Sequence, residues 1–390
     1  MRRRRSRNHD ESTSFGTAYS RLAQWALAVV LVLAVAEWGA GLAMGKIRHN
    51  RSAATPSLSD QDIARLYDTD NPALYREALA EESRLGEAVY SPLVEYHLPP
   101  RAGRHITIAA DGYRGNGTGQ DLGAPGAKVF VFGGSTTFGT GVTDGETLPA
   151  QLGEVLKAAG KDVQVFNFGA PSYYSTQERI ALERLLTNGI RPDLAVFVDG
   201  LSDFQACQLP DRTAWSQRLE QATAVVARLP LTGELAQRSN LLAFSRWLVG
   251  SEPAEAPNRA DLCTSDAEVD KVIRRLDTNR RIVAAMAEKL GFKALFVQQP
   301  VPTFHYDNSK RAVPVDTELL AHHQNSAKGY PHMVEMRAAG QLLGDSTLWL
   351  AEVEPAEGNA YVDTVHYSPR FNRALADAIG RAIVDGSLLP

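Results

Sequence analysis

Short apolar runs at 128–132, 163–168, 194–199, 293–298 and 346–351 alternate with longer segments of helical spacing at 147–159, 176–188, 266–290 and 368–384. Runs of this length, rich in Val and Phe and bounded by turn residues, read as buried strands, and the helical segments carry the chain back across the sheet. The alternation predicts an α/β fold: a three-layer α/β/α domain around a doubly wound, mainly parallel five-stranded sheet. In such folds ligands sit beyond the carboxyl ends of the strands, near the point where the strand order reverses. Chemistry is to be sought there.

The N-terminal part follows different rules. Residues 1–21 form a basic tail with five arginines among the first seven residues, and residues 22–45 are apolar apart from Gln24 and Glu37. That stretch is long enough to cross about 30 Å of hydrocarbon as one transmembrane signal-anchor helix. By the positive-inside rule the tail stays in the cytoplasm, and the rest lies in the periplasm or outside the cell. The alternative is a secreted chain, because Ala34-Val35-Ala36 has the small-x-small pattern of a cleavage site; the long region ahead of the apolar run weighs against it. The formal net charge of −4 argues against nucleic acid as a partner.

Residues 46–104 read as a tether and peripheral elements, with a polar stretch to about residue 72, a helix near 75–85 and a short strand at 90–96. The domain proper is expected from 105 to 390, opening on a short strand at 105–109. Its two long excursions, at about 205–265 and 300–345, leave from the carboxyl ends of strands and are placed to roof a site. Helical pieces are expected near 215–227 and 241–249. Cys207 and Cys263 are too few for a disulfide scaffold and wrongly spaced for zinc. They either pair, adding about 4 kcal/mol in the chain-entropy model, or remain two buried thiols. His305, His332 and the His322-His323 pair lack metal-ligand spacing, and no metal or organic cofactor is implied. The sequence does not fix the oligomeric state.

The polar residues gather at three strand ends. The first core strand runs into Gly133-Gly134-Ser135-Thr136, which presents a serine hydroxyl at the sheet edge; a helix beginning there would favour negative charge beside it. The second ends Asn167-Phe168-Gly169, where a glycine brings its N–H close to a ligand. The third ends Gly200-Leu201-Ser202-Asp203. Downstream, Asp363-Thr364-Val365-His366 precedes a helix opened by Ser368-Pro369. At this spacing a carboxylate reaches one imidazole nitrogen while the other faces a serine. Ser135, His366 and Asp363 thus read as nucleophile, base and orienting acid. Gly134, Asn167, Gly200 and Gln299 are candidate pocket residues, while Arg370, Asn372 and Arg373 read as the polar face of the last helix.

These blocks resemble those of the SGNH, or GDSL-like, hydrolases, specifically the membrane-anchored bacterial type, over about residues 105–385. The resemblance implies a flavodoxin-like sheet, a Ser135 nucleophile, a Gly169 N–H directed at the oxyanion, and Asp363 and His366 as acid and base. It also marks Asp111-Gly112-Tyr113-Arg114-Gly115 as the turn before the serine strand. The third block departs from the family's Gly-x-Asn-Asp, with Ser202 in place of the asparagine that donates to the oxyanion. A hydroxyl reaches less far than a carboxamide, and losing one such donor costs roughly 3 to 4 kcal/mol. The expected function is a membrane-anchored serine esterase or acyl-hydrolase, or an O-acyltransferase, acting on acyl esters of cell-envelope glycans. The alternative is a tethered binding or assembly protein of the same fold with little turnover. The expected oxyanion hole comprises Ser135, Gly169 and Ser202.

Overall fold

The computed structural model describes residues 7–54, 58–85, 88–91, 93–205, 207, 263–312, 323–342, 347–355 and 357–389. The helices expected near 215–227 and 241–249 lie outside them. The chain divides into two compact units, Met1–Ser57 with Leu219–Ala256, and Leu58–Arg218 with Pro257–Pro390.

In the first unit the described part is one helix, α1 (Arg7–Ala54). Its stretch Ala23–Ala43 has a mean hydropathy of 2.1 over 21 residues, long and apolar enough to cross a membrane. Trp25, Val32 and Trp38 on it are exposed, as expected of a helix whose apolar surface is not used in a protein core.

The second unit holds a sheet of β5 (Ala127–Gly133), β6 (Val163–Asn167), β7 (Leu194–Asp199), β8 (Lys293–Gln298) and β9 (Thr347–Trp349). All four pairings are parallel, in the order β6-β5-β7-β8-β9. The alternation expected from sequence is therefore present, and the strand order reverses between β5 and β7. Period-2 patterning explains the layers. Val129 and Val131 of β5 pack with Leu152 of α5 (Leu148–Ala158) and with Leu375 and Ile379 of the C-terminal helix. Phe130 and Phe132 point the other way, into a cluster with Leu182 of α6 (Ser175–Thr187) and Val283 of α7 (Asp266–Leu290). Each fully buried side chain of this size contributes about 1.5–3 kcal/mol, so both faces of β5 resist polar substitution.

The region before the sheet belongs to the same unit. Within it, α2 (Asp60–Tyr67) is a peripheral helix, begun by a capping box at Ser59 and Asp62. Its Ile63, Leu66 and Tyr67 are buried with Tyr75 of α3 (Pro72–Glu82), Val142 and Val362. The run 90–96 is not one strand: β1 (Val89–Ser91) and β2 (Glu95–His97) pair antiparallel. Leu93 and Glu95, both at positive φ (76° and 72°), reverse the chain between them. The stretch 105–109 contributes β4 (Thr107–Ile108), paired with β3 (Arg101–Ala102).

The second excursion contains α8 (Gln324–Ala338), whose Tyr330 and Met333 pack with Leu201, Phe204 and the two cysteines. Cys207 and Cys263 form a disulfide, with Cα atoms 5.2 Å apart. The last helix, α9 (Pro369–Asp385), is capped by Ser368, which accepts from the Phe371 N–H. Asn372 departs from its expected place on the polar face: it is buried, and its amide donates to the Glu146 carbonyl at 3.0 Å.

Candidate active site

Ser135 opens α4 (Ser135–Phe138), a single turn directly after β5. So short a helix has little macrodipole, and what it offers an anion is individual N–H groups. Close packing explains the glycines before it. A Cβ on Gly133 would lie 2.1 Å from Thr137 Oγ1, and one on Gly134 would lie 2.3 Å from Ser202 Oγ and 3.1 Å from the Tyr173 carbonyl.

The turn is held from below. Arg114, fully buried, pairs with Asp144 at 2.9 Å and donates to the carbonyls of Phe138, Gly139 and Val142 at 2.9, 2.6 and 2.6 Å. The Phe138 and Gly139 carbonyls lie at the C-terminal end of the α4 turn, so the guanidinium braces the turn there. The Asn167 amide donates to the Thr137 and Phe138 carbonyls at 3.0 and 3.2 Å. Thr136 donates to Gln299 Oε1 at 2.9 Å.

His366 lies between the other two candidate residues, with Nε2 2.8 Å from Ser135 Oγ and Nδ1 2.6 Å from Asp363 Oδ2. The second carboxylate oxygen accepts the N–H groups of Val365 and His366 at 2.9 and 2.8 Å. Burial alone would raise the Asp363 pKa. The hydrogen bond from His366, the imidazole charge and the two backbone donors outweigh it and bring the pKa to about 2. An ionised carboxylate only accepts, so Nδ1 carries the proton and Nε2 is left to accept from the serine hydroxyl. The loop bearing the pair is closed by the Val362 N–H to the His366 carbonyl at 2.9 Å. Arg311 clamps it, donating to the Asp363 and Thr364 carbonyls at 2.7 and 2.9 Å, with its guanidinium 4.8 Å from the Tyr361 ring centroid.

Ser135, His366 and Asp363 open on a cleft of about 290 Å³, whose other walls include Ser172, Leu201 and Ser202. It sits between the ends of β5 and β7, where the strand order reverses. Gly169 is placed differently from its expected role. Its N–H donates to Asn167 Oδ1 at 3.0 Å, its Cα abuts the backbone of Thr137 and Phe138, and it lines a separate cavity of about 330 Å³. Asn167 and Gln299 are buried braces. Gly200, at φ 135°, is pressed against Tyr330 and Gln298, so none of these three lines the cleft.

The residue of the β6–α6 loop that does reach the cleft is Ser172, at φ 61°. A non-glycine residue in this left-handed region carries a cost of roughly 1–2 kcal/mol, persisting where surrounding contacts enforce it. Among the described residues the N–H groups of Ser135 and Ser172 have no acceptor, and the Ser202 hydroxyl has no partner. Behind Ser202, the buried Asp203 accepts from Ser175 Oγ at 2.6 Å, tying the turn after β7 to the start of α6. Burial first, then the Asp199 charge, raises the Asp203 pKa to about 6. Glu178 is raised well above its ordinary value by burial and by both aspartates. Sequence reasoning missed Ser172, Arg311 and this acid cluster. For Ser172 the available signal was its place five residues after the strand-end asparagine; its backbone conformation was not legible.

The fold and site define a class: flavodoxin-like α/β proteins that display a serine, a histidine and an aspartate in one hydrogen-bonded line at the switch point. No family model matches the sequence, and no curated protein does. Solved structures similar to it include a GDSL-like lipase from Bacteroides thetaiotaomicron, 13% identical over 66% of this chain and 88% of that one, with a TM-score of 0.33. A psychrotrophic esterase from Pseudoalteromonas is 9% identical, over 67% and 98%, at 0.34. A lipase/acylhydrolase from Enterococcus faecalis is 17% identical, over 68% and 98%, at 0.33.

Proposed function

We propose that this chain is a membrane-anchored serine hydrolase of the SGNH type, acting on acyl esters. The observation that carries the reading is the line from Ser135 through His366 to Asp363, with an ionised carboxylate fixing the imidazole tautomer. In the first step His366 Nε2 takes the Ser135 proton as Oγ attacks the ester carbonyl, and Asp363 stabilises the imidazolium. The oxyanion forms opposite the N–H groups of Ser135 and Ser172 and the hydroxyl of Ser202. Collapse breaks the ester C–O bond, and the imidazolium protonates the departing alkoxide. Water or an acceptor hydroxyl, deprotonated by His366, then releases the acyl group from Ser135. The same groups serve hydrolysis and O-acyl transfer.

Address argues for substrate. The Ala23–Ala43 helix behind an arginine-rich tail supports a retained anchor with the catalytic unit outside the cytoplasm, where acyl esters of cell-envelope glycans are the substrates at hand. A tethered binding protein with little turnover is the second reading, favoured by Ser202 standing where an amide donor is expected. Hydrolysis of p-nitrophenyl acetate by the full chain in detergent decides between them. The hydrolase reading expects Ser135→Ala to lower kcat by about 10⁴ or more; a wild-type rate no faster than that of the variant selects the binding protein.

A further inference from the structure

The β1–β2 hairpin reaches the loop that carries Ser172 through Tyr96. Tyr96 of β2 is buried, edge-on to Tyr173 with ring centroids 5.3 Å apart. Its hydroxyl donates to the Pro171 carbonyl at 2.7 Å. Its own carbonyl accepts from the Tyr173 hydroxyl. The two residues that flank Ser172 in the β6–α6 loop are thus tied to one tyrosine. The hairpin is itself anchored, since Gln177 of α6 donates to the Val94 carbonyl at 3.1 Å.

The consequence follows from peptide geometry. In a trans peptide the C=O and N–H point to opposite sides of the chain. The carbonyl of the Pro171–Ser172 peptide is fixed on the Tyr96 hydroxyl, so the N–H of the same peptide is turned away from the hairpin. That N–H belongs to the residue that lines the cleft beside Ser135 and Ser202. We infer that Tyr96 is a positioning residue of the oxyanion hole, its hydroxyl holding the Pro171–Ser172 peptide so that the Ser172 N–H faces the developing oxyanion. The positive φ of Ser172 fits the same picture, a conformation held by the ties on its two neighbours, Pro171 and Tyr173. The hairpin's two left-handed non-glycine residues, Leu93 and Glu95, lie on the segment that delivers the tyrosine. This inference rests on the reading of Ser135 as nucleophile.

Tyr96→Phe keeps the ring and removes the hydroxyl. With p-nitrophenyl acetate and the full chain, kcat should fall about 10- to 100-fold, the range of a weakened oxyanion donor or less. KM should stay within about twofold, with the melting temperature unchanged. An unchanged kcat, or a fall matched by an equal fall in the titre of reactive Ser135, overturns the proposal. A second readout does not depend on turnover. Pro-Ser occurs only at Pro56-Ser57 and Pro171-Ser172, so carbonyl-labelled proline with ¹⁵N-serine leaves two correlations by NMR, and the one retained in Pro56→Ala is this peptide's. Tyr96→Phe should shift the Pro171 carbonyl resonance, and in the wild type the Ser172 amide proton should move downfield once Ser135 is phosphonylated. An amide that stays put on phosphonylation overturns the proposal even if Tyr96→Phe fails to fold. If Ser135 never reacts, the hydrolase reading fails instead, while a Pro171 carbonyl indifferent to Tyr96→Phe separately rejects the tie.

Discussion

Gly134 is kept a glycine by what stands over it. A methyl there would meet Ser202 Oγ at 2.3 Å and the Tyr173 carbonyl at 3.1 Å, two groups from different strand ends. Gly134→Ala should therefore push Ser202 out of line and lower kcat about 10-fold or more, as expected for a displaced oxyanion donor. A variant with wild-type kcat in the p-nitrophenyl acetate assay would show that Ser202 does not contribute. At this scale the sequence was legible where chemistry depends on residue type. Ser135, Asp363 and His366 stood out because a hydroxyl, a carboxylate and an imidazole in such positions have few joint uses, and the fold brings the three within hydrogen-bonding distance. Gly169 was read as the donor because a glycine at a strand end can bare its N–H. Its N–H is instead spent on Asn167, and the group that reaches the cleft belongs to Ser172, whose left-handed backbone no serine advertises.

Between elements, the site is joined by buried charge. Asp203 ties the turn after β7 to the start of α6 and shares its surroundings with Glu178, Asp199, Arg275 and Arg280. Its pKa of about 6 in the fold lies above the 3.8 it would have when unfolded. The folded protein therefore holds an extra proton between those values, and stability falls as pH rises through that window. Asp203→Asn can still accept from Ser175 and carries no charge. It should be more stable than wild type above about pH 6, with the difference shrinking as pH falls through about 4, measured by thermal melts across that range. A difference that is constant with pH would contradict the account. Periodicity revealed the helices and strands flanking this cluster, because burial patterns are local. It could not reveal the cluster itself, which depends on which strand ends become neighbours. The β1–β2 hairpin escaped for a related reason: its reversal at Leu93 and Glu95 uses positive φ without the glycine that would mark it.

For the whole molecule, the strand order is what gives the separate sequence blocks a common purpose. Residues 135, 172 and 202, far apart in the chain, meet because β6, β5 and β7 are consecutive neighbours and their carboxyl ends share one edge. Alternating strands and helices foretold a parallel sheet, and the flavodoxin-like resemblance foretold its order; which side chains meet at its edge needed the three-dimensional structure. The central claim is that this edge carries an activated serine. The most direct measurement is the intact mass of the full chain in detergent after treatment with a fluorophosphonate, followed by peptide mapping. The account predicts one phosphonyl adduct on Ser135, absent from Ser135→Ala and formed much more slowly in His366→Ala. A folded wild-type protein that acquires no adduct at Ser135, or acquires it equally fast without His366, would contradict it.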